Sequence, residues 1–254
     1  MRFLLYNIRY GAGIGAHFHL PLPYAGYLKR STRNLDRIIS FIRSIQPDIV
    51  GLVEVDNGSF RCDSNCQAEV IAKALNYNHL VETKYGVDSV ANRLPLLNKQ
   101  GNALLTRQPI VSYRYYYFKQ GVKRLIIEAR LEDVTIFLVH LSLTYRNRQY
   151  QLEQLYQLIK KVNGPLIVAG DFNVLWGDRE LELFLAATGL LSANNEGAPS
   201  YPSRAPKRQL DFILHSRELR VTDFQVPSVT LSDHAPLLCD FTRAGMTDRA
   251  LQPA

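Results

Sequence analysis

An aspartate and an asparagine two residues apart, Asp171 and Asn173, follow the apolar run Pro165-Leu-Ile-Val-Ala169 within the tetrapeptide GDFN. Just past the end of a strand, both side chains can be aimed at one point. The aspartate brings negative charge, and the asparagine brings a neutral donor and acceptor. That pair suits a phosphate ester beside a metal ion. Residues able to complete such a site stand far away in sequence. Glu54 ends the apolar run Ile49-Val-Gly-Leu-Val53, where a carboxylate is costly unless paired or bound to a cation. His140 follows Ile136-Phe-Leu-Val139, and His234 lies in a Ser-Asp-His tripeptide ahead of Pro236. Taken singly, each histidine is equally at home as a structural residue at the edge of a core.

The elements that must position these residues can be read from hydrophobic periodicity. Strands are expected at Phe3–Ile8, Ile49–Val53, Gly101–Thr106, Val111–Phe118, Val122–Leu131, Val134–Val139 and Pro165–Ala169. Three more are expected at Gln209–Leu214, Leu219–Val226 and Pro236–Phe241. Ser31 is placed to cap a helix whose apolar residues Leu35, Ile38, Ile39 and Ile42 keep helical spacing. Further helices are expected at Gln67–Leu75, Arg148–Val162 and Arg179–Ala187. Successive strands without intervening helices imply antiparallel pairing. The pattern fits an α+β fold, two mostly antiparallel sheets packed as a sandwich and flanked by helices, better than a doubly wound sheet. Loops at one end would then gather Asn7, Glu54, His140, Asp171, Asn173, Asp211 and His234.

The chain has 254 residues, and 46% of them are hydrophobic, enough for a sizeable core. No linker, repeat or low-complexity block divides it, so residues 1–254 read as one domain with a peripheral tail from about Arg243. Thirty basic residues against 23 acidic ones give a net charge of +7, which favours an anionic ligand. The three cysteines, Cys62, Cys66 and Cys239, lack the second Cys/His pair of a zinc site. Neither a signal peptide nor a run of about 20 apolar residues is present, so the expectation is a cytoplasmic protein without a membrane span. No obligate protein partner is evident, and a monomer is expected.

Seven short motifs recur in a recognisable order: YNIR (Tyr6–Arg9), LVEVD (Leu52–Asp56), GNALLTR (Gly101–Arg107), VHLSL (Val139–Leu143), GDFN, QLDFIL (Gln209–Leu214) and SDH (Ser232–His234). In these motifs the chain resembles the endonuclease/exonuclease/phosphatase superfamily, the magnesium-dependent, DNase-like phosphoesterases. The resemblance spans residues 6 to 234. It implies a four-layer α/β sandwich and Mg²⁺ as cofactor, with Mn²⁺ as a substitute. It makes Glu54 the principal metal ligand, with Asn7 nearby and Asp233 assisting the metal or its water. Magnesium prefers oxygen ligands and keeps several waters, so one or two carboxylates suffice. The catalytic set implied is His140, Asp171, Asn173, Asp211 and His234. Asp211 would orient His234 and favour its imidazolium, His140 would bind phosphate, Asn173 would hold nonbridging oxygens, and Asp171 would activate water. Which of Asp171 and His234 is the general base is left open.

Departures narrow the branch. Arg9 stands where apurinic endonucleases carry an acid or amide, His140 where they carry tyrosine, and Leu143 where they carry asparagine. The aromatic loop Tyr10–Lys29, with His17, Phe18, His19, Tyr24 and Tyr27, reads either as a packed surface loop or as a lip over the site. Arg9, Asn102, Arg204, Lys207 and Arg208 are candidates to contact substrate. Alternation along Tyr113–Phe118 is expected to bury half of that aromatic run, and Arg148 is expected to form a structural ion pair. The expected activity is hydrolysis of a phosphodiester, nucleic acid being slightly favoured by charge. The alternatives are a phospholipid or glycolipid headgroup phosphodiesterase, a phosphatase, and a member that only binds.

Overall fold

The computed structural model describes residues 1–14, 30–85 and 97–244. Most of the aromatic loop (15–29) and the tail beyond Ala244 lie outside the described residues. Twelve strands and four helices make up the described elements. The strands are β1 (Arg2–Asn7), β2 (Ile49–Asp56), β3 (Asn78–Thr83), β4 (Gln100–Thr106), β5 (Ser112–Tyr117) and β6 (Leu125–Arg130). They continue with β7 (Thr135–His140), β8 (Leu166–Asp171), β9 (Leu191–Ser192), β10 (Asp211–His215), β11 (Leu219–Gln225) and β12 (Leu237–Arg243). The helices are α1 (Thr32–Ile45), α2 (Gln67–Leu75), α3 (Tyr145–Ile159) and α4 (Glu182–Thr188).

The strands form two six-stranded sheets, ordered β11-β12-β1-β2-β4-β3 and β5-β6-β7-β8-β10-β9. Each is mixed: one parallel pair at its centre, β1–β2 or β7–β8, and antiparallel pairing elsewhere. Each parallel pair is joined by a crossover helix, α1 or α3. The two sheets therefore repeat one plan, a symmetry of structure without a repeat in sequence.

Burial explains why the central strands read as unbroken apolar runs. In β1, Phe3 and Leu5 enter the core between the sheets, while Leu4 and Tyr6 enter the layer beneath α1 and α2. In β7, Ile136 and Leu138 face the other sheet, and Phe137 and Val139 face α3 and α4. Helices thus cover the outer face of both sheets, and the order is helices, sheet, sheet, helices. No described helix is long and apolar enough to cross a membrane.

Several details differ from the sequence reading. β3 and β9 were not expected: β3 is a polar edge strand and β9 has two residues, so neither carries a strong period. The third helix begins at Tyr145 and ends at Ile159, earlier at both ends than expected, and a 3₁₀ turn (Asp178–Leu181) precedes α4. The Tyr113–Phe118 run does not alternate in burial. It forms an edge strand whose start is exposed, with Tyr113 at 55%. The three cysteines are buried free thiols.

Candidate active site

The C-terminal ends of both parallel pairs meet at one end of the sandwich. β1 delivers Asn7, β7 delivers His140, and β8 delivers Asp171, with His140 and Asp171 adjacent in register. β10 starts at Asp211, directly opposite Asp171 across the antiparallel pair. Glu54 is delivered by a defect. Register with β4 shifts between Leu52 and Val55, and Glu54 adopts φ 57°. Ile49 and Val53 face the inter-sheet core, and Val55, by parity expected there too, faces the helices instead. The bulge thus turns Glu54 out of the sheet's alternation and toward the cleft. Asn102 of the opposing strand accepts the Glu54 amide proton at 3.2 Å, fixing the distortion.

Gly170 has its own reason to be glycine. Its φ is 153°, and a Cβ there would lie 1.9 Å from the Val139 carbonyl oxygen of the neighbouring strand. Only glycine lets β7 and β8 approach so closely just before Asp171.

Asp171 is the hub of the polar network. Its Oδ2 accepts from Asn7 Nδ2 at 3.1 Å and lies 3.3 Å from His140 Nε2 and 3.9 Å from His234 Nε2. Its Oδ1 accepts the Asn173 amide at 3.0 Å, with Asn173 at φ 52°. Burial pushes this carboxyl up, but His140, His234 and Lys123 outweigh it, and its pKa lies well below the usual carboxylate range. The histidines go opposite ways. Burial and the Lys123 charge push His140 down to about 4. Burial acts the same way on His234, yet Asp211, Asp171 and Asp233 raise it to about 10. His234 Nδ1 donates to Asp211 Oδ2 at 2.7 Å, the same oxygen that accepts from Ser200 Oγ at 2.6 Å. Burial raises the pKa of Asp211, and the shared proton stays on the imidazole that faces three carboxylates. Tyr201 packs its ring 4.9 Å from that of His234.

A cleft of about 420 Å³ opens over this network. Its walls include Asn7, Glu54, Asp171, Asn173, Asp233 and His234. The donor set near Glu54 is oxygen-rich, as a hard divalent cation requires. The Glu54 carboxylate is largely buried, and its nearest ion-pair partner is Lys123 Nζ at 3.8 Å, beyond hydrogen-bonding distance. Burial pushes its pKa up, but Lys123, His140 and Lys84 bring it below its ordinary value, so it is ionised. These residues fit a Mg²⁺ ion. Asp171, Asp211 and His234 also offer ligand atoms within 4.8 Å of one another. His234 Nδ1 and Asp211 are already bonded to each other, which leaves Glu54 the freer carboxylate.

The structure gathers most of the expected residues and gives several of them unforeseen partners. Arg9, a substrate candidate, lies 3.3 Å from Asp233, a metal candidate, and its own amide donates to Asn7 Oδ1 at 3.1 Å. Asn173 donates through Nδ2 to the Leu141 carbonyl at 2.9 Å, so its Oδ1 is the atom turned to other uses. Asn102 is not on the cleft wall: it is fully buried and supports Glu54. Arg208 lines the cleft, whereas Arg204 and Lys207 are exposed on the loop beside it. Arg148 pairs with Glu180 at 2.5 Å, as expected.

Two lysines escaped the sequence reading. Lys123 Nζ lies against His140 Nε2 and lines the cleft. Lys84, 4% exposed, donates to the Tyr10 hydroxyl at 2.6 Å, and burial pushes its pKa down to about 7. Both stand at or beyond the ends of strands in a basic chain. Nothing in their local sequence separates them from solvated lysines.

Comparison with known proteins agrees with this geometry. Residues 4–234 match the model of the Endonuclease/Exonuclease/phosphatase family. A UPF0294 protein of Yersinia enterocolitica is 34% identical over 149 residues, covering 59% of this chain and 51% of that protein. A Klebsiella pneumoniae UPF0294 protein is 31% identical over 150 residues, again 59% and 51%. The chain thus spans about half the length of these curated relatives. Among solved structures, an endonuclease/exonuclease/phosphatase family protein from Bacteroides thetaiotaomicron superposes with a TM-score of 0.72 at 15% identity, covering 95% and 97%. A mannosyl-6-phosphatase of the same organism gives 0.70 at 16%, covering 95% and 99%. The human Nocturnin catalytic domain, with a bound sulfate anion, gives 0.67 at 23%, covering 96% and 93%. At these identities the structures establish the fold. With the family match across nearly the whole chain, the conclusion is that this protein belongs to the endonuclease/exonuclease/phosphatase family.

Proposed function

We propose that the chain is a divalent-metal-dependent phosphodiesterase. One observation carries the reading. An ionised Asp171 lies 3.3 Å from a histidine kept neutral and 3.9 Å from a histidine kept protonated. A proton acceptor and a proton donor therefore flank one point on the cleft wall. In this reading water held by Asp171 attacks phosphorus in line. Its proton passes to the Asp171 carboxylate as the new P–O bond forms. His234 gives its Nε2 proton to the departing oxygen, while Asp211 holds the ring through Nδ1. Asn173 Oδ1 positions the attacking water, and Lys123 offsets charge on the nonbridging oxygens. Glu54, with Asn7 and Asp233 nearby, would hold Mg²⁺ or Mn²⁺, whose chemistry there is Lewis-acid neutralisation of the phosphoryl group.

A diester is favoured over a monoester because the cleft lining extends beyond the polar network to Leu143, Leu175, Tyr201 and Arg208, surface that a second ester arm can meet. Charge alone favours nucleic acid, through the exposed Arg204, Lys207 and Arg208. The test is hydrolysis of a panel holding bis-p-nitrophenyl phosphate, DNA, RNA, phospholipids and a phosphomonoester, with Mg²⁺ and with EDTA. His234→Ala should lose about 10²–10⁴-fold in kcat while staying folded. Folded, Mg²⁺-binding protein that turns over none of the diesters would overturn the proposal.

A further inference from the structure

Three residues at or next to the mouth of the cleft are exposed although their side chains gain from leaving water. Trp176 is 81% exposed, Leu143 57% and Tyr145 54%. Scattered exposed leucines need no explanation, but these are not scattered. Leu143 and Leu175 both line the catalytic cleft, and Trp176 follows Leu175. Tyr145 opens α3, two residues beyond Leu143.

A buried ion pair holds this lip in place. Arg148 is fully buried, and its Nη1 donates to the carbonyl oxygens of Ser142 at 3.1 Å and Leu143 at 2.5 Å. Its Nε and Nη2 donate to Glu180 Oε2 at 2.9 and 2.5 Å. The other oxygen of Glu180 accepts the Trp176 amide at 3.1 Å. One guanidinium and one carboxylate thus join the backbone of Leu143 to that of Trp176. A buried pair of this kind contributes little net stability. Here it makes rigid two loops whose apolar side chains face solvent.

The charges near the lip complete the picture. Arg146, next to Tyr145, and Arg179, three residues past Trp176, are exposed, as are Arg204, Lys207 and Arg208 on the loop that brings Arg208 to the cleft. Glu182 is the exposed acid in the first turn of α4. An amphipathic tryptophan and tyrosine, with leucines beside them and arginines around them, match the boundary between headgroups and acyl chains. The arginines complement anionic headgroups. Stacking on bases would use the rings and leave Leu143 in water, so the leucine favours the bilayer.

We propose that this lip docks the cleft on the surface of an anionic phospholipid bilayer, so that its ester substrate is drawn from that surface. The proposal rests on the phosphodiesterase reading for its substrate, but docking is measured without catalysis. Trp176 is the chain's single tryptophan and therefore a built-in probe. Wild-type protein is titrated with vesicles of phosphatidylcholine, with and without phosphatidylglycerol, and with an oligonucleotide. Phosphatidylglycerol vesicles are expected to shift Trp176 emission to the blue, and lipids brominated on their acyl chains to quench it. Tyr145→Ser with Trp176→Ser should weaken vesicle sedimentation by roughly tenfold or more. The same variant should leave turnover of bis-p-nitrophenyl phosphate unchanged. Wild-type protein that hydrolyses this soluble diester yet neither sediments with nor inserts into anionic vesicles would overturn docking and leave the phosphodiesterase reading intact. A Trp176 response to the oligonucleotide alone would overturn it in favour of base stacking.

Discussion

Asp171 and His234 carry opposite charges although both are buried, because each faces partners that favour its ion. The asparagine amide and the Asn7 side chain donate to Asp171, and three carboxylates surround His234. The consequence for pH is signed. His234 is raised to about 10 from 6.5, so its contribution is complete below about 6.5 and is lost as pH rises through about 10. His140 is lowered to about 4, so its contribution is present above 6.5 and is lost as pH falls through about 4. Asp171, depressed as well, contributes above 3.8 and loses that contribution as pH falls further. Melting temperature should therefore fall on both sides of neutrality. His234→Gln should flatten the alkaline limb and leave the His140 part of the acid limb in place; an unchanged alkaline limb in that variant would refute the assignment. Glu54 yields a second expectation. Mg²⁺ at about 100 times its Kd should stabilise the wild type by roughly 2.7 kcal/mol, read by thermal denaturation, and Glu54→Gln should abolish the shift. A shift that persists in Glu54→Gln would place the ion elsewhere, at the Asp171–Asp211–His234 cluster. At this scale residue types were legible, since Asp, Asn and His at strand ends announce polar chemistry. Lys84 and Lys123 were not, because only burial distinguishes them from the chain's other lysines.

At the scale of elements, two irregularities do the positioning. The bulge at Glu54 breaks the alternation of β2, and Gly170 lets β8 press against β7 before Asp171. Gly170→Ala would force a Cβ onto the Val139 carbonyl. It should destabilise the protein by about 2–4 kcal/mol in denaturant titrations and reduce turnover besides. A loss below about 0.5 kcal/mol would mean that the strands can separate at no cost. The helices α1 and α2 were legible from their apolar spacing, down to Gln67 at the start of α2; Ser31 precedes α1 but does not cap it, because its hydroxyl donates to the Arg61 carbonyl oxygen instead of accepting from the first turn. The bulge was not. A strand reading assumes a period of two, and the residues that break it are chosen by the neighbouring strand. The edge strand β5 failed for a related reason. Its tyrosines suit a strand, but position in the sheet decides which face is covered.

The whole molecule brings together what the chain keeps apart. Asn7 and Asp171 are 164 residues apart and hydrogen-bonded, and each ends a strand of the central parallel pair in one of two sheets built alike. The site straddles the seam between the sheets, so the core that joins them also sets catalytic distances. Leu138 lies in that core and is fully buried. Leu138→Ala should cost about 2–5 kcal/mol in chemical denaturation. Mg²⁺ held by Glu54, Asn7 and Asp233 would engage the sheet of β1, β2 and β12 alone, so the loss should be equal with and without Mg²⁺; a smaller loss with Mg²⁺ would show that the ion bridges both sheets. Seven motifs in order made the family legible before any geometry, because chemistry restricts residue type at each strand end. They also carried the four-layer architecture, which periodicity alone reached only as far as two sheets with helices.

The sequence by itself determined the order of elements, the apolar faces of the helices, and the acids, amides and histidines available for phosphoester chemistry. Those follow from local spacing and residue type, which are properties of the linear chain. Only the tertiary structure decided that His140 is neutral and His234 charged, that Asn102 supports Glu54, and that Lys123 lines the cleft while Lys84 is buried against Tyr10. It alone set Leu143 beside Trp176 through a buried Arg148–Glu180 pair. Protonation and exposure depend on burial and on charges brought from distant segments, and neither exists until the sheets have closed on one another.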